Sequence, residues 1–237
     1  MKREFLTAEW RNLIMANYVI DPNILKKHMP NHTELELRQG KCYLSLVGFM
    51  FLNTKVLGVH VPFYQNFEEV NLRFYVRYRE KEEWRRGVVF IKEIVPKAAI
   101  AFVANHLYQE HYITLPMQRH WEEHSDSKII TYEWKIDGNW DFMKVKTTSE
   151  ATELAPGSEE EFITQHYWGY TKINDRQTSE YRVEHPPWKV YSVSDYQIDC
   201  HGERLYGAPF GEILKEAPNS IFMATGSEIK VRARRKL

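Results

Sequence analysis

Cysteine is scarce: Cys42 and Cys200 are the only two in 237 residues. They are too few for a disulfide framework and too far apart for metal-type spacing, so a reducing compartment is the expectation. An excess of charge of either sign is missing too. Lysine plus arginine and aspartate plus glutamate number 32 each, so no whole-molecule field calls for a nucleic acid or an acidic membrane as partner. The basic cluster Arg232, Arg234, Arg235 and Lys236 reads as a solvated end strand and tail. No run approaches the roughly 18 apolar residues of a membrane span, and Met1-Lys2-Arg3-Glu4-Phe5 lacks the apolar run of a secretory leader. A cytoplasmic protein that binds neither nucleic acid nor membrane is expected. There is no G-x-G-x-x-G, no G-x-x-x-x-G-K-[ST] and no G-x-S-x-G, so neither a nucleotide cradle nor a nucleophile elbow is visible. No cofactor is expected.

Aromatic residues are abundant at 14%, with 14 Tyr and 7 Trp, and such residues suit pleated surfaces. Residues 1–237 read as one domain, since barrels of this length fold as single units. Strands are expected over Leu13–Ile20, Lys41–Phe51, Asn71–Tyr78, Val88–Val95, Lys128–Ile136, Phe142–Thr148, Glu180–Glu184, Val190–Asp199, Ile221–Ala224 and Glu228–Ala233. Arg86-Gly87 and Asp137-Gly138 read as hairpin turns. Gly48 marks a bulge or a close approach by a neighbour. Asp21-Pro22 starts a short helix, Asn23 to Met29. Another follows Pro96, with Ile100, Val103, Ala104, Leu107 and His111 on one buried face. A third starts at Ser158, where Glu161 completes a capping-box spacing. Many strands in series with a few helices make a mainly antiparallel α+β or barrel fold.

The stretch from Tyr64 to Arg77 organises the rest. Strand alternation sends Leu72, Phe74, Val76 and Tyr78 to one face and Glu69, Asn71, Arg73, Tyr75 and Arg77 to the other. The second face is either a solvated sheet surface or the wall of a polar pocket.

Two other patterns carry chemistry on paper. His120-Trp121-Glu122-Glu123-His124 fits H-x-x-E-H, a zinc motif that requires a helix. It lies between Pro116 and the polar Ser125-Asp126-Ser127, which reads as a surface loop, so no metal site is expected. Lys92 stands in an apolar strand with Phe90 and Ile94 on its own face. Burial there would lower its pKa towards a Schiff-base nucleophile, whereas a sheet-edge position would let it reach solvent.

Trp10-Arg11-Asn12-Leu13, Asp21-Pro22, His28-Met29-Pro30, Glu69-Val70-Asn71-Leu72-Arg73, Gly87-Val88-Val89-Phe90, Tyr112-Ile113-Thr114-Leu115-Pro116 and His185-Pro186-Pro187-Trp188 together resemble a bacterial family of uncharacterised YqjF-like proteins. That family resembles acetoacetate decarboxylase, which implies a closed, cone-like antiparallel barrel around a pocket for a small acidic substrate. The resemblance implies an anchoring arginine at Arg11, paired with Tyr18, and a pocket glutamate at Glu69. It places the Schiff-base lysine and its neighbour at Met117 and Gln118. With no amine there, the iminium needed as electron sink cannot form, and decarboxylation by that route is not expected.

The expected site is therefore Glu69 as acid/base, with Arg11, Asn71, Arg73, Tyr75, Tyr112 and Met117 around a small carboxylate or carbonyl ligand. Glu69 can equally serve as the ion-pair partner of Arg11 or Arg73. The open readings are a lysine-independent lyase, hydratase or isomerase, a non-catalytic binding protein, and a Schiff-base enzyme with its lysine moved to Lys92. The oligomeric state stays open, since an apolar edge strand can drive self-association.

Overall fold

A computed structural model describes residues 4–237. The chain runs through β1 (Glu4–Val19), α1 (Pro22–Leu25), β2 (Thr33–Leu35), β3 (Tyr43–Val56), β4 (Val59–His60), β5 (Phe67–Glu80), β6 (Glu83–Val95) and α2 (Ala98–Tyr108). Then follow β7 (Tyr112–Thr114), β8 (Met117–Glu123), β9 (Ser127–Ile136), β10 (Asn139–Thr148), α3 (Glu159–Thr164), β11 (Trp168–Asn174) and β12 (Gln177–Glu184). The last part comprises β13 (Val190–Asp199), α4 (Gly202–Tyr206), α5 (Ala208–Lys215), β14 (Ser220–Arg232) and β15 (Arg235–Lys236).

Seven of these strands close a ring. β1 lies between β14 and β3, the order continues through β5, β6, β11 and β12, and β12 returns to β14 with Val183 opposite Val231. All contacts in the ring are antiparallel except the short parallel pairing of β6 with β11. Closure removes the unpaired edges that an open sheet of this size would carry. β13 leaves β14 and leads through β10 and β9 to β8. This second sheet lies over the outside of the ring, so the ring strands are buried on both faces.

Two cores result. Leu44, Leu46, Leu72 and Phe74 on the outer face of the ring pack against Tyr132, Trp134 and Met143 of the second sheet. Val47, Phe49, Phe67, Tyr75 and Tyr181 face inward. Each fully buried large apolar side chain contributes about 1.5–3 kcal/mol. Gly48 sits where the two sheets come closest: a Cβ there would lie 2.6 Å from Met143 Sδ and 3.0 Å from the Tyr132 ring.

The expected barrel is present, with local differences. Arg86-Gly87 lies inside β6, and the turn is instead at Lys81-Glu82, where Lys81 takes a positive φ. The strands expected over Ile221–Ala224 and Glu228–Ala233 are one strand, β14, that passes through Gly226 and ends at Arg232. His120 to Glu123 belong to an exposed strand, β8, and His124 opens the turn to β9, so the segment is not the expected surface loop and forms no helix. In α2 the buried residues are Ala101 and Tyr108, Leu107 is exposed, and His111 lies beyond the helix.

One end of the ring is plugged. The Tyr75 hydroxyl bonds Ser45 Oγ at 2.6 Å, and Ser45 Oγ donates to Asn17 Oδ1. Phe162 and His166 pack on the Tyr75 ring. They arrive on and just after α3, whose first turn is capped by Ser158 Oγ accepting from Glu161 N.

Candidate functional site

A cavity of about 300 Å³ occupies the ring above this plug. β5 supplies its polar wall: Glu69, Asn71 and Arg73 all line it, each at most 7% exposed. Their spacing by two puts them on one face, and they descend from the open end to the plug in the order Phe67, Glu69, Asn71, Arg73, Tyr75.

β6 adds Glu93 through a bulge. Leu72 pairs with Lys92 and Arg73 with Phe90, so Ile91 is the extra residue. Phe90 faces inward, Ile91 turns out, and Glu93 comes back into the cavity. The same bulge turns Lys92 outward, where its Nζ donates to Leu205 O. β7 pairs Tyr112 with Glu93. α2 ends at Gln109 in the left-handed conformation, and the reversal brings Glu110 to the cavity wall.

Three carboxylates thus share one apolar enclosure. Glu69 accepts from Asn71 Nδ2 and from the Tyr112 hydroxyl, both at 2.9 Å. Burial nevertheless pushes its pKa up to about 7, against the pull of those two donors and of Arg73. Burial raises Glu110 to about 7 as well, with Glu69 adding repulsion and Thr171 and Tyr181 opposing. Glu93 is raised well above the usual range by burial, then by the charges of Glu110 and Glu69. Neither oxygen of Glu110, nor Glu93 Oε2, has a well-formed hydrogen bond. Tyr112 is fixed at its backbone by Asn105, which accepts from its N–H at 2.7 Å and donates to its C=O at 2.9 Å.

The cationic end lies deeper. Arg73 takes part in none of the ion pairs among the described residues, and its Nε is buried with no partner. An unpaired buried guanidinium is costly. Two histidines stand within reach of its field, His166 and His185. Burial above all, with the Arg73 charge as a lesser cause, lowers both to about 4, so they stay neutral. His166 Nε2 bonds Glu36 at 3.0 Å, leaving Nδ1 unpartnered.

No group of three His, Cys, Asp or Glu among the described residues is placed to hold a metal ion. His120 stands on β8 and His124 just past its end, roughly 13 Å away along extended chain, and each faces a separate glutamate, Glu133 and Glu122.

The sequence matches the DUF2071 family, described as "Uncharacterized conserved protein", over residues 7–228. The chain belongs to the DUF2071 family. It is similar to uncharacterized protein YqjF of Bacillus subtilis (strain 168), with 25% identity over 203 residues that cover 83% of this chain and 81% of YqjF. Its fold is that of acetoacetate decarboxylase-like proteins. The acetoacetate decarboxylase of Legionella pneumophila superposes with a TM-score of 0.67 at 10% identity, covering 98% of this chain and 87% of that one. An acetoacetate decarboxylase-like enzyme from Sphingomonas wittichii RW1 gives 0.66 at 9% identity, with 99% and 94% covered. The enduracididine biosynthesis enzyme MppR, complexed with pyruvate, gives 0.65 at 11% identity, with 100% and 91% covered. At such identities the likeness concerns the fold alone.

In this DUF2071 chain the residues expected from sequence separate into two groups. Glu69, Asn71, Arg73 and Tyr112 line the cavity together. Arg11 does not: it points outward on β1 and pairs with Glu9 at 2.7 Å. The cause is the bulge between Arg11 and Ile14, where Asn12 takes φ 52°. Tyr75 lies below the cavity as part of the plug. Met117 stands on β8, packed against the outer core and away from the cavity. No lysine lines the cavity among the described residues, so Lys92 does not supply the missing amine. Sequence reasoning missed Glu93 and Glu110, because the first depends on a bulge and the second on a helix-ending reversal. His166 and His185 come from His166-Tyr167-Trp168-Gly169-Tyr170 and His185-Pro186-Pro187-Trp188, segments dense in aromatic residues and histidine, a composition that suits either a core or a pocket wall.

Proposed function

We propose that the cavity takes a small organic acid bearing a carbonyl, with Arg73 holding the carboxylate and Glu69 moving a proton at the carbon beside the carbonyl. The observation that carries this reading is the pairing, in one enclosure, of an unpartnered buried guanidinium with a carboxylate whose pKa is pushed to about 7. A guanidinium recognises a carboxylate through two parallel N–H···O bonds. A base poised near neutrality suits proton abstraction at pH 7. Tyr112, held by Asn105, donates its single hydroxyl proton to Glu69 and so orients the carboxylate that takes the substrate proton. That MppR is complexed with pyruvate supports a keto acid as a ligand for this type of barrel. With no lysine on the wall, the chemistry proposed is lysine-independent: enolisation leading to isomerisation, hydration or elimination.

The test is proton exchange. In D₂O, wild-type protein should speed loss of the proton NMR signals next to the carbonyl in a panel of 2-, 3- and 4-oxo acids. Glu69→Gln should lower that rate at least about 100-fold and leave binding largely intact. Arg73→Met should lose acid binding while gaining stability, since it removes an unpaired buried charge. Binding without exchange in the wild type would make the cavity a ligand-holding site and end the catalytic reading.

A further inference from the structure

The charged groups occupy the lower part of the cavity, and the wall above them is apolar except for Thr54, the Tyr64 hydroxyl and the unpartnered Trp10 Nε1. Phe67 lies opposite Phe51 at the level above Glu69, and Trp10 pairs across from Phe51 on the other side. From Arg73 up to Phe67 is six residues, about 20 Å of strand. The opening lies between α2 and the segment around β4. Val61, Tyr64, Ile100 and Val103 line it. Exposed aromatic rings stand beside it, Phe63 87% and Phe102 62% exposed, with the Lys97 ammonium over the Tyr64 ring and donating to Phe63 O.

Volume points the same way. A cavity of about 300 Å³ equals roughly ten water volumes, room for on the order of ten non-hydrogen atoms. A three- or four-carbon keto acid fills the polar floor and leaves the aromatic collar against water, which is unfavourable for apolar surface.

We infer that the ligand is an amphiphile, a medium-chain acid of about six to ten carbons whose head sits at Arg73 and Glu69 and whose alkyl tail rises through the Phe51, Phe67 and Trp10 collar to the mouth at Val61 and Val103. This rests on the proposed head-group site and adds the class of the tail. Each methylene placed in the collar should tighten binding about fourfold.

The experiment is calorimetric titration of wild-type protein with butanoate, hexanoate, octanoate and decanoate, and with the matching 1-alkanols. The dissociation constant of the acids should fall about fourfold per added carbon up to octanoate and then level off as the chain reaches the mouth. Val103→Asp, a change at a 38% exposed helix position, should weaken octanoate more than tenfold and leave butanoate unaltered. Acids that bind equally at every length, or no binding by any of them, would overturn the inference. If alkanols follow the same slope and bind as tightly as the acids, the tail site stands and the carboxylate role of Arg73 fails. If the acids bind through Arg73 with no dependence on length, the head site stands and the tail site fails.

Discussion

Glu93 is a carboxyl group enclosed with two others and one oxygen unpartnered. Its folded pKa is raised well above its ordinary value, so its contribution to stability is full below about pH 4.3 and is lost as pH rises through the folded pKa. Glu69 and Glu110 behave alike, with folded values of about 7. The neutral His166 and His185 act in the opposite sense, since their depressed values near 4 cost stability as pH falls below about 6.5. Above pH 6.5 the carboxyls act alone. The unfolding free energy read from urea denaturation should therefore drop between pH 6.5 and 8.5, by up to about 1.4 kcal/mol per pH unit for each group that stays protonated. Glu93→Gln and Glu110→Gln, which keep the shape without the charge, should flatten that fall. An unchanged slope in both variants would place the pH dependence elsewhere. Glu69, Asn71 and Arg73 were legible because a regular strand preserves parity. Glu93 and Lys92 were not, because one inserted residue exchanged the faces they occupy.

Bulges and reversals matter as much at the level of elements. β1 bends at Asn12, and its partner β14 answers with Gly226 at φ +71°, where an added Cβ would stand 1.9 Å from the Trp10 carbonyl oxygen. Backbone contact leaves no flexible neighbour to move aside. Gly226→Ala should cost more than about 3 kcal/mol, read by chemical denaturation, and should loosen the pairing of β1 with β14 in amide exchange. A loss under about 1 kcal/mol would show that the strands can part there cheaply. The sequence carried the interiors of these strands through aromatic and β-branched runs, but not their length. β1 is already a strand at Glu4, well ahead of the apolar run that starts at Leu13, because polar residues such as Glu9 and Arg11 pair with each other on the outside of the ring. α2 misled for another reason. Its apolar stripe faces a cavity and its mouth, so side chains that periodicity assigns to a core are partly open.

The closed ring itself depends on a short junction. β12 meets β14 at two positions only, Val183 and Glu184, and β15 extends the contact by pairing with β12 at Ser179 and Glu180. Charges brace this seam. Glu180, fully buried, accepts from Arg85 at 3.1 Å, from the Tyr170 hydroxyl at 3.1 Å and from Arg235. Arg235 also forks onto both oxygens of Glu80 at 2.8 Å. The basic end of the chain is therefore a clasp and not a solvated tail. Arg235→Ala leaves Glu180 with Arg85 and Tyr170 but strips the bidentate bond from Glu80, and should cost about 2–3 kcal/mol. Arg232→Ala breaks a single pair, with the part-exposed Glu184, and should cost less than Arg235→Ala, which loses contacts to two carboxylates. Amide exchange should speed up along β12 and β15 in the first variant, while β9 and β10 in the outer sheet keep their protection. Equal losses in the two variants, or exchange that speeds uniformly, would mean that the seam is held by apolar packing and that the clasp is incidental to closure of the cavity.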